Sequence, residues 1–481
     1  MMPDDREITR VFSNPLLHHD VPDPDAIALS TGGWALVASS FDRSPGLPLW
    51  HSDDLMTWTP VGHAGGYQTD APHDGGVWAP SIREHDGRLF VVWGDPDRGV
   101  LVVDAPALEG PWSEPRLVLP ARGVIDACPF WDEDGRAVVV HGYARSRAGF
   151  ANRLDVFDVD PALTRALGPS RVVIDGDLID GCSTLEGPKA YSWDGMLWLF
   201  APAGGVATGW QYAFRAPGWD GPWEHRLVLE QGGTPVNGPH QGAWIRGHGH
   251  EEWFLHFQAT GALGRVLHLQ PPRWSDDGWP LIGTTDAAGV GTPVLSWPTP
   301  LAGRTPAPRP SSGDDFTADR LSPAWHSRHA QPGELVNAVG GGRLTVRGHR
   351  DAALLRPLDG AQRRIETTLL AADGADAAFV LVDAVTRELR LVDRSGDGDG
   401  DGDGDGGRAE IVVGDSPAVA VAASGTRLGI TLHAGTAQFL LDGRPVGEAF
   451  ALEGRRWTGA EWGLAARGSG RVVFGPVEAT A

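Results

Sequence analysis

The sequence predicts an all-β protein in which a five-bladed β-propeller is followed by a β-sandwich. Three observations support this fold class. The 481 residues include 66 Gly, 38 Pro and 20 Trp, a composition that suits many tight turns between short strands. A turn-and-strand pattern recurs five times within the first 300 residues. Long segments with the 3.6-residue hydrophobic period of an amphipathic helix are hard to find.

The repeated pattern is a Gly-containing turn followed by an apolar, aromatic-rich strand. D-G and G-G pairs before such a run indicate a hairpin, because the tight turns of hairpins need positive φ angles. Successive copies start about 48 to 60 residues apart, a spacing that suits one four-stranded propeller blade. We therefore predict a propeller over residues 10–295. The five copies are TGGWALVAS (31–39), HDGRLFVVW (85–93), EDGRAVVVHGY (133–143), WDGMLWLFAP (193–202) and GHGHEEWFLHF (247–257).

Two further regions follow the repeats. Residues 296–314, rich in Pro and Ser, have no hydrophobic period and predict a semi-rigid linker. Residues 315–481 contain about ten short alternating strands, which predict a concanavalin-like β-sandwich. Within it, the Asp-Gly repeat at 396–407 predicts a solvated hairpin loop. A calcium loop is the alternative, although strict alternation lacks the distinct ligand positions of known calcium loops.

Charge and composition exclude several classes of partner. Subtracting 62 Asp and Glu from 40 Lys and Arg gives a net charge of −22, which argues against nucleic acid and against an anionic membrane surface. No apolar run of 18 residues predicts a membrane helix, and the N-terminus does not resemble a secretion signal. Two cysteines, Cys128 and Cys182, cannot form a disulfide framework. We expect a cytoplasmic protein with reduced thiols, and the oligomeric state stays open.

Three acidic residues lie near the predicted starts of blades. Asp23 lies between two prolines in HHDVPDPDAIA, Asp126 ends an apolar run in GVIDACPFW, and Glu186 precedes Gly-Pro in STLEGPKAY. Taken singly, each has an ordinary alternative: a turn aspartate, a buried aspartate satisfied by backbone amides, or a surface turn. Taken together, they occupy blades one, three and four at similar depth, where a propeller brings strand starts to one face. Carboxylates that meet across a sugar ring are what glycoside hydrolysis needs.

These motifs resemble those of glycoside hydrolase family 43, the five-bladed propeller enzymes that act on arabinose- and xylose-containing polymers. The resemblance covers nearly the whole chain. The segment DDFTADRLSPAWHSR at 314–328 is similar to the start of the β-sandwich in the xylosidase-like branch. The propeller segments that carry the resemblance are NPLLHHDVPDPDAI, ASSFDRSPGLPLWHSDDLMTW, GGVWAPSIREHDGRLFVVW, VIDACPFWDEDGR and LEGPKAYSWDGMLWLF.

The resemblance implies a role for each candidate residue. Asp23 would be the general base, Glu186 the general acid, and Asp126 the carboxylate that orients the acid and raises its pKa. Arg265 would bind a sugar hydroxyl or neighbour the acid, with a salt bridge between blades as the alternative. Because the family inverts configuration, the base and acid should stand roughly 6.5–9.5 Å apart.

The resemblance also implies aromatic and metal-linked positions. Trp78 would stack on the sugar, whereas Phe41 and Trp210 would either contact substrate or belong to the core. His240 matches a histidine that binds a central calcium through water. Gln241, an extra residue beside it, leaves a satisfied core histidine as the alternative. No cofactor is expected for the chemistry, and the one metal considered is a structural calcium.

The resulting expectation is an inverting exo-glycoside hydrolase that acts on oligosaccharides derived from plant polysaccharides. It would release terminal β-D-xylosyl or α-L-arabinofuranosyl units. Hydrolysis of another sugar, such as β-galactan, stays an alternative for the enzyme. Two other classes are considered: a non-catalytic carbohydrate-binding propeller and a scaffold for protein partners. The first would lack one of the three carboxylates, and the second would need a large exposed apolar rim.

Overall fold

The computed structural model describes residues 11–65, 76–247, 251–286, 289–300, 313–393, 408–413, 419–422 and 424–481. Its elements are almost all strands, joined in antiparallel pairs. The propeller and the C-terminal strands are the two parts that the sequence predicts. Among the described residues no helix is long and apolar enough to cross a membrane.

Four blades are four-stranded meanders and the fifth has three strands. A short strand, β1 (Val11–Ser13), comes before them. The blade strands are β2 (Asp25–Ala28), β3 (Trp34–Val37), β4 (Pro48–Ser52) and β5 (Thr59–His63); β6 (Ser81–His85), β7 (Arg88–Asp95), β8 (Gly99–Ala105) and β9 (Arg116–Pro120); β10 (Val124–Trp131), β11 (Ala137–Tyr143), β12 (Arg153–Val159) and β13 (Arg171–Asp175); β14 (Lys189–Trp193), β15 (Met196–Ala203), β16 (Trp210–Ala216) and β17 (Glu224–Leu229); and β18 (His240–Arg246), β19 (Glu252–Ala259) and β20 (Arg265–Gln270).

Short elements complete this half of the chain. They are the helix α1 (Arg145–Ala148), two 3₁₀ turns (Gly176–Leu178 and Gly261–Leu263), and the strands β21 (Pro272–Trp274), β22 (Pro280–Ile282), β23 (Thr284–Thr285), β24 (Gly291–Thr292) and β25 (Ser296–Pro298).

The five repeats of the sequence are the hairpins that join the first and second strands of the blades. In blade two the turn residues Asp86 and Gly87 have φ angles of 48° and 70°, and in blade four Asp194 and Gly195 have 53° and 71°. Positive φ at both central positions is the requirement of a type I′ turn, which explains the D-G pairs. The predicted five-bladed arrangement is confirmed.

The first strand of each blade faces the central axis. The first strands of blades one to four contact one another in sequence, and β18 contacts β2. The N-terminal segment closes the ring: Leu16 N donates to Leu267 O at 2.7 Å, and Val21 N donates to Arg265 O at 2.8 Å. The N-terminal segment thus lies beside β20, the third strand of blade five, and joins the two ends of the propeller sequence.

The C-terminal strands form one twelve-stranded antiparallel sheet that folds into two layers. Its elements are β26 (His326–Ser327), the helix α2 (Pro332–Leu335), β27 (Val336–Gly340), β28 (Arg343–Arg347), β29 (Leu354–Pro357), β30 (Arg364–Val382), β31 (Thr386–Asp393), β32 (Arg408–Val413), β33 (Val419–Ala422), β34 (Arg427–His433), β35 (Thr436–Leu441), β36 (Arg444–Ala451) and β37 (Glu461–Thr480).

Two long strands, β30 and β37, pass through both layers. The first part of β30 pairs with β34 and its last part with β31. Likewise β37 pairs first with β29 and then with β28. Register shifts near Leu369 and Gly374 bend the pair, as bulges do. Between the layers lies an apolar core in which Phe379 stacks on Trp462 with ring centroids 6.0 Å apart.

The boundary between the two parts differs slightly from the prediction. The predicted linker starts at 296, but Ser296–Pro298 form β25 and pair with Val11–Ser13. The propeller therefore holds the chain a few residues past 295. Residues 301–312 of the predicted linker, and the Asp-Gly repeat at 396–407, lie outside the described residues.

Candidate active site

The three predicted carboxylates lie where first strands begin. Asp23 comes two residues before β2, Asp126 is the third residue of β10, and Glu186 comes three residues before β14. Because these strands surround one axis and run in the same sense, their starts share one mouth of the propeller. Residues that are distant in the sequence are thereby brought to one place.

A cavity of about 120 Å³ occupies that mouth. On the same measure a single water needs about 10–15 Å³, so the space suits a small ligand rather than one water. Of the residues predicted for the site, Asp23, Asp126, Glu186, Arg265, Phe41 and Trp78 line this cavity. The remaining lining residues are Ala79, Ile125, Val206, Gln241 and Trp457.

Several cavity residues have left-handed backbone conformations that L-residues rarely adopt. The φ angles are 51° for Asp23, 49° for Phe41, 38° for Ala79, 60° for Asp126 and 22° for Gln241. Such conformations cost of order 1–3 kcal/mol each and persist only where the surroundings enforce them. Around Asp126 the ladder between β10 and β11 also shifts register. The backbone is thus bent at the points where side chains enter the cavity.

Asp23 is held by two donors. Arg265 Nη1 donates to its Oδ1 at 2.5 Å, and Ser39 Oγ donates to its Oδ2 at 2.6 Å. Ser39 Oγ in turn accepts a hydrogen bond from Ala79 N at 2.7 Å. The carboxylate is 5% exposed, so its ion pair with Arg265 compensates its burial. Its position and orientation are therefore fixed in the absence of a ligand.

Asp126 and Glu186 are adjacent carboxyl groups with raised pKa values. Removal from water, followed by the charge of Asp23, raises the pKa of Asp126. Removal from water, followed by the charges of Asp126 and then Asp23, raises the pKa of Glu186. Asp126 Oδ2 accepts a hydrogen bond from Gly187 N at 2.8 Å, which fixes the peptide next to Glu186. The Glu186 side chain keeps 23% of its surface exposed, and its environment favours the protonated form.

Arginine and aromatic side chains form the wall opposite. Arg265 lies over the Phe41 ring at 5.6 Å and over the Trp457 ring at 5.9 Å. The Trp78 ring is 6.3 Å from that of Phe41 and 6.4 Å from that of Trp457. Trp457 comes from the loop between β36 and β37, so the C-terminal domain completes the wall.

Trp210 lies away from the cavity. It packs in the core of blade four, where a Cβ at Gly204 would meet its ring at 2.4 Å. Its ring also meets Tyr212 edge to face, with centroids 6.3 Å apart. Of the two alternatives from the sequence, the structure gives Trp210 the position of a core residue.

His240 lies beneath the cavity and does not line it. Its Nε2 is 3.5 Å from Glu186 Oε1, and burial lowers its pKa to about 3. Neither ring nitrogen has a hydrogen-bond partner among the described protein groups. No three His, Cys, Asp or Glu side chains in the described part of the chain are grouped to hold a metal ion. The contact of His240 with a calcium ion through water stays a prediction.

The sole lysine of the chain is buried under the same mouth. Lys189 Nζ donates to Ser81 Oγ at 2.6 Å and to Pro80 O at 3.0 Å, and it lies 3.8 Å from Asp25 Oδ2. Its positive charge partly offsets the rise in the pKa of Asp126 that burial and Asp23 cause. The lysine joins the first strands of blades two and four and supports the site from below.

A second cavity, about 130 Å³, lies between the propeller and the C-terminal domain. It is lined by residues such as His19, His63 and His326, and none of the three carboxylates reaches it. We assign the candidate active site to the cavity that contains the carboxylates, because paired titratable groups with raised pKa values mark sites of chemistry.

Of the five lining residues that were not predicted from the sequence, Trp457 and Gln241 have large side chains that bear on the site. Trp457 follows the propeller by more than 150 residues in the sequence, and no local pattern links it to the mouth. Gln241 looked like an extra residue beside His240, and it is one: the β18–β19 ladder pairs His240 with Phe257 and Gly242 with His256. The signal in the sequence was a one-residue insertion, and the fold shows that it forms a bulge within β18.

The comparisons with known proteins agree with this geometry. The model of the glycosyl hydrolases family 43 matches residues 12–280. A putative β-xylosidase from Xylanibacter ruminicola is 39% identical over 287 residues, covering 58% of this chain and 53% of that protein. A non-reducing end α-L-arabinofuranosidase from Bacteroides ovatus is 27% identical over 319 residues, covering 57% and 54%. The match thus spans about half the length of these relatives.

A solved structure shares the whole architecture. The xylan β-1,4-xylosidase from Bacillus halodurans has a TM-score of 0.80, and the match covers 98% of this chain and 100% of that one. At 22% sequence identity, this likeness concerns the fold, including the arrangement of a propeller followed by C-terminal strands.

Proposed function

The chain belongs to the glycosyl hydrolases family 43, and on that premise we propose that it is an inverting, exo-acting glycoside hydrolase. The observation that carries the proposal is the meeting of Asp23, Asp126 and Glu186 around one cavity with Arg265. Two carboxyl groups in different environments can hold different protonation states, as acid and base catalysis requires.

Glu186 is the general acid of this proposal. Its raised pKa keeps it protonated near neutral pH, so it can give its proton to the oxygen of the leaving group as the bond to the anomeric carbon breaks. Asp126 supports this role in two ways. Its charge disfavours ionisation of Glu186, and its bond to Gly187 N holds the acid in place.

Asp23 is the general base. Its carboxylate accepts the proton of a water molecule while the water oxygen forms the new bond to the anomeric carbon, on the face opposite the leaving group. Arg265 donates to one oxygen of this carboxylate and Ser39 to the other, and together they hold it rigidly. Inversion of configuration follows because the water attacks in a single displacement.

The shape of the cavity supports attack at a chain end. It is small, and Trp457 with Trp78 and Phe41 closes one side. Aromatic faces stack on sugar rings, and one terminal unit would fill the space. The names of the two relatives support β-D-xylosyl or α-L-arabinofuranosyl as that unit, with plant-derived oligosaccharides as the substrates.

A panel of 4-nitrophenyl glycosides tests the proposal. We expect release of nitrophenol from the β-D-xylopyranoside or the α-L-arabinofuranoside, and not from the β-D-galactopyranoside. The Asp23→Asn variant serves as the matched control for contaminating activity, because the base is needed whatever the leaving group. Binding of xylo-oligosaccharides without turnover of any glycoside would instead favour a carbohydrate-binding propeller and would overturn the hydrolase assignment.

A further inference from the structure

Gln241 is an inserted residue with an unusual backbone. It bulges out of β18 between His240 and Gly242, so it has no partner in the strand ladder. Its φ angle is 22°, and its side chain is only 4% exposed. A buried, non-glycine residue with positive φ is costly, and bulges are used to re-aim a side chain. Here the bulge directs the Gln241 side chain toward the cavity.

The Gln241 side chain lies beside the two groups that control the general acid. It lines the same cavity as Asp126, and its amide acts on that carboxyl group so as to favour the ionised form. It also lies directly against Gly187: a Cβ at that position would come within 2.5 Å of Gln241 Cγ and 2.8 Å of Nε2. Gly187 has a φ angle of 61°, so both the conformation and the space require glycine.

These contacts converge on the peptide next to Glu186. Gln241 packs on Gly187, Gly187 N donates to Asp126 Oδ2 at 2.8 Å, and Gln241 and Asp126 line the same cavity. Glu186 itself receives no hydrogen bond in the described part of the chain that would fix its carboxyl. The contacts of Asp126 and Gln241 with Gly187 therefore position the peptide that carries it.

We propose that Gln241 is a positioning residue that holds Asp126 and the Glu186–Gly187 peptide in the arrangement needed for proton donation to the leaving group. This inference rests on the proposed function, because it concerns the step that Glu186 performs. Gln241 acts through Asp126 and Gly187, not on the reacting atoms.

Other charged groups also face Asp126 and Glu186. The test of Gln241 therefore needs a readout that does not depend on the ionisation of those groups. Asp23 and Arg265 come from the segment before β2 and from β20, Lys189 from β14, and His240 from β18. A pH profile alone would mix their contributions. The dependence of the rate on the leaving group is sharper, because a good leaving group departs without a proton and so bypasses the general acid.

The experiment compares Gln241→Met with the unaltered chain on two substrates of the same sugar, a 2,4-dinitrophenyl glycoside and an unactivated oligosaccharide. Methionine preserves the length of the side chain and removes the amide. We expect kcat on the oligosaccharide to fall roughly 10²-fold, the cost of about 1 Å of misplacement. On the dinitrophenyl glycoside kcat should change little, and KM should change little on both.

Three outcomes would overturn the inference. An equal loss on both substrates would indicate a general structural role, a rise in KM alone would indicate a substrate contact, and unchanged kinetics would exclude any role. Gln258→Met is the matched control, because Gln258 lies in the same blade and bonds only Pro235 O and Asn237 Oδ1 in the described structure. It should leave the ratio of the two rates unchanged.

The Gln241→Glu variant keeps the test decisive if methionine prevents folding. A protonated glutamic acid can still donate to Asp126, whereas an ionised one repels it. We expect oligosaccharide hydrolysis by this variant to recover as the pH is lowered, relative to the unaltered chain, and no such recovery would contradict the inference. Failure of the unaltered chain to hydrolyse any glycoside would instead count against the proposed function. The inference about Gln241 and the proposed function therefore fail in distinguishable ways.

Discussion

At the scale of single residues, the site depends on carboxyl groups whose environments differ. Asp23 is tied to Arg265 and Ser39, whereas burial and the charges of Asp126 and Asp23 outweigh that of Arg265 at Glu186 and raise its pKa. Asp126 stands between them and bonds the backbone of Gly187. Aspartate tolerates left-handed φ better than most residues, which explains how Asp23 and Asp126 can occupy bent backbone. The same residues that strain the chain carry the chemistry.

The Glu186→Gln substitution should remove the proton donor while preserving the shape. We expect kcat on oligosaccharides to fall by about 10²–10⁴-fold, the usual contribution of a general acid, and by much less on a dinitrophenyl glycoside. Steady-state rates on both substrates provide the measurement. Full activity on oligosaccharides would remove Glu186 from the role of acid.

The Asp126→Asn substitution should change the pH dependence. The negative charge of Asp126 raises the pKa of Glu186, so a neutral side chain lets that pKa fall. The active, protonated form of Glu186 is then lost at a lower pH, and the alkaline limb of the kcat/KM profile should move toward acid. An unchanged limb, or one moved to higher pH, would show that Asp126 does not act on Glu186 in this way.

At the scale of elements, one loop of the C-terminal domain contributes to a site on the propeller. The segment between β36 and β37 places Trp457 beside Trp78 and Arg265. It is anchored nearby, since Ala460 N donates to Ala262 O at 2.7 Å. The loop therefore forms part of the wall that a terminal sugar would touch.

The Trp457→Ala substitution should weaken substrate binding more than chemistry. An aromatic contact contributes about 0.5–1.5 kcal/mol beyond its buried area, which corresponds to a KM raised by roughly two- to tenfold. Separate measurement of kcat and KM on an oligosaccharide tests this. Trp274→Ala is a suitable control, because Trp274 is 37% exposed and does not line the cavity. A fall in kcat at constant KM would contradict the assignment.

Sequence reasoning worked well for elements with local signals. The D-G turns predicted the hairpins because positive φ is a local requirement, and the alternation after residue 315 predicted strands. Gln241 and Trp457 were not predicted as cavity residues, because a bulge and a contact between domains depend on partners far away in sequence. For Trp210 the sequence left substrate contact and the core as alternatives, and its packing against Gly204 in the fold distinguishes them.

At the scale of the whole molecule, a buried ionic network joins the two domains. Glu461 of β37 accepts from Arg43 Nε at 2.5 Å, from Arg328 Nε at 2.8 Å and bonds His326 Nε2 at 2.7 Å. Arg43 also donates to Asp20 at 2.7 Å. The other oxygen of Asp20 accepts from Arg265 N at 2.8 Å. The network thus runs from the C-terminal domain to the arginine that holds Asp23.

The Glu461→Gln substitution should destabilise the protein. Burial opposes ionisation, but Arg328, Arg43 and His326 together hold the pKa of Glu461 well below its usual range. Removing one partner of a buried ion pair costs about 3–5 kcal/mol. We expect a lower midpoint of thermal unfolding, measured at neutral pH. Glu478→Gln in the same strand, an exposed partner of Arg427, should cost about 0–1 kcal/mol. Equal midpoints for the two variants would contradict the network's importance.

The stereochemistry of hydrolysis tests the central claim most directly. Asp23 and Glu186 should act on opposite faces of one sugar, with water entering as the leaving group departs. Proton NMR during the first minutes of hydrolysis of an aryl glycoside distinguishes the two anomers of the released sugar before they equilibrate. We predict that the first product has the anomeric configuration opposite to that of the substrate. A first product with retained configuration would contradict the roles given to the two carboxyl groups.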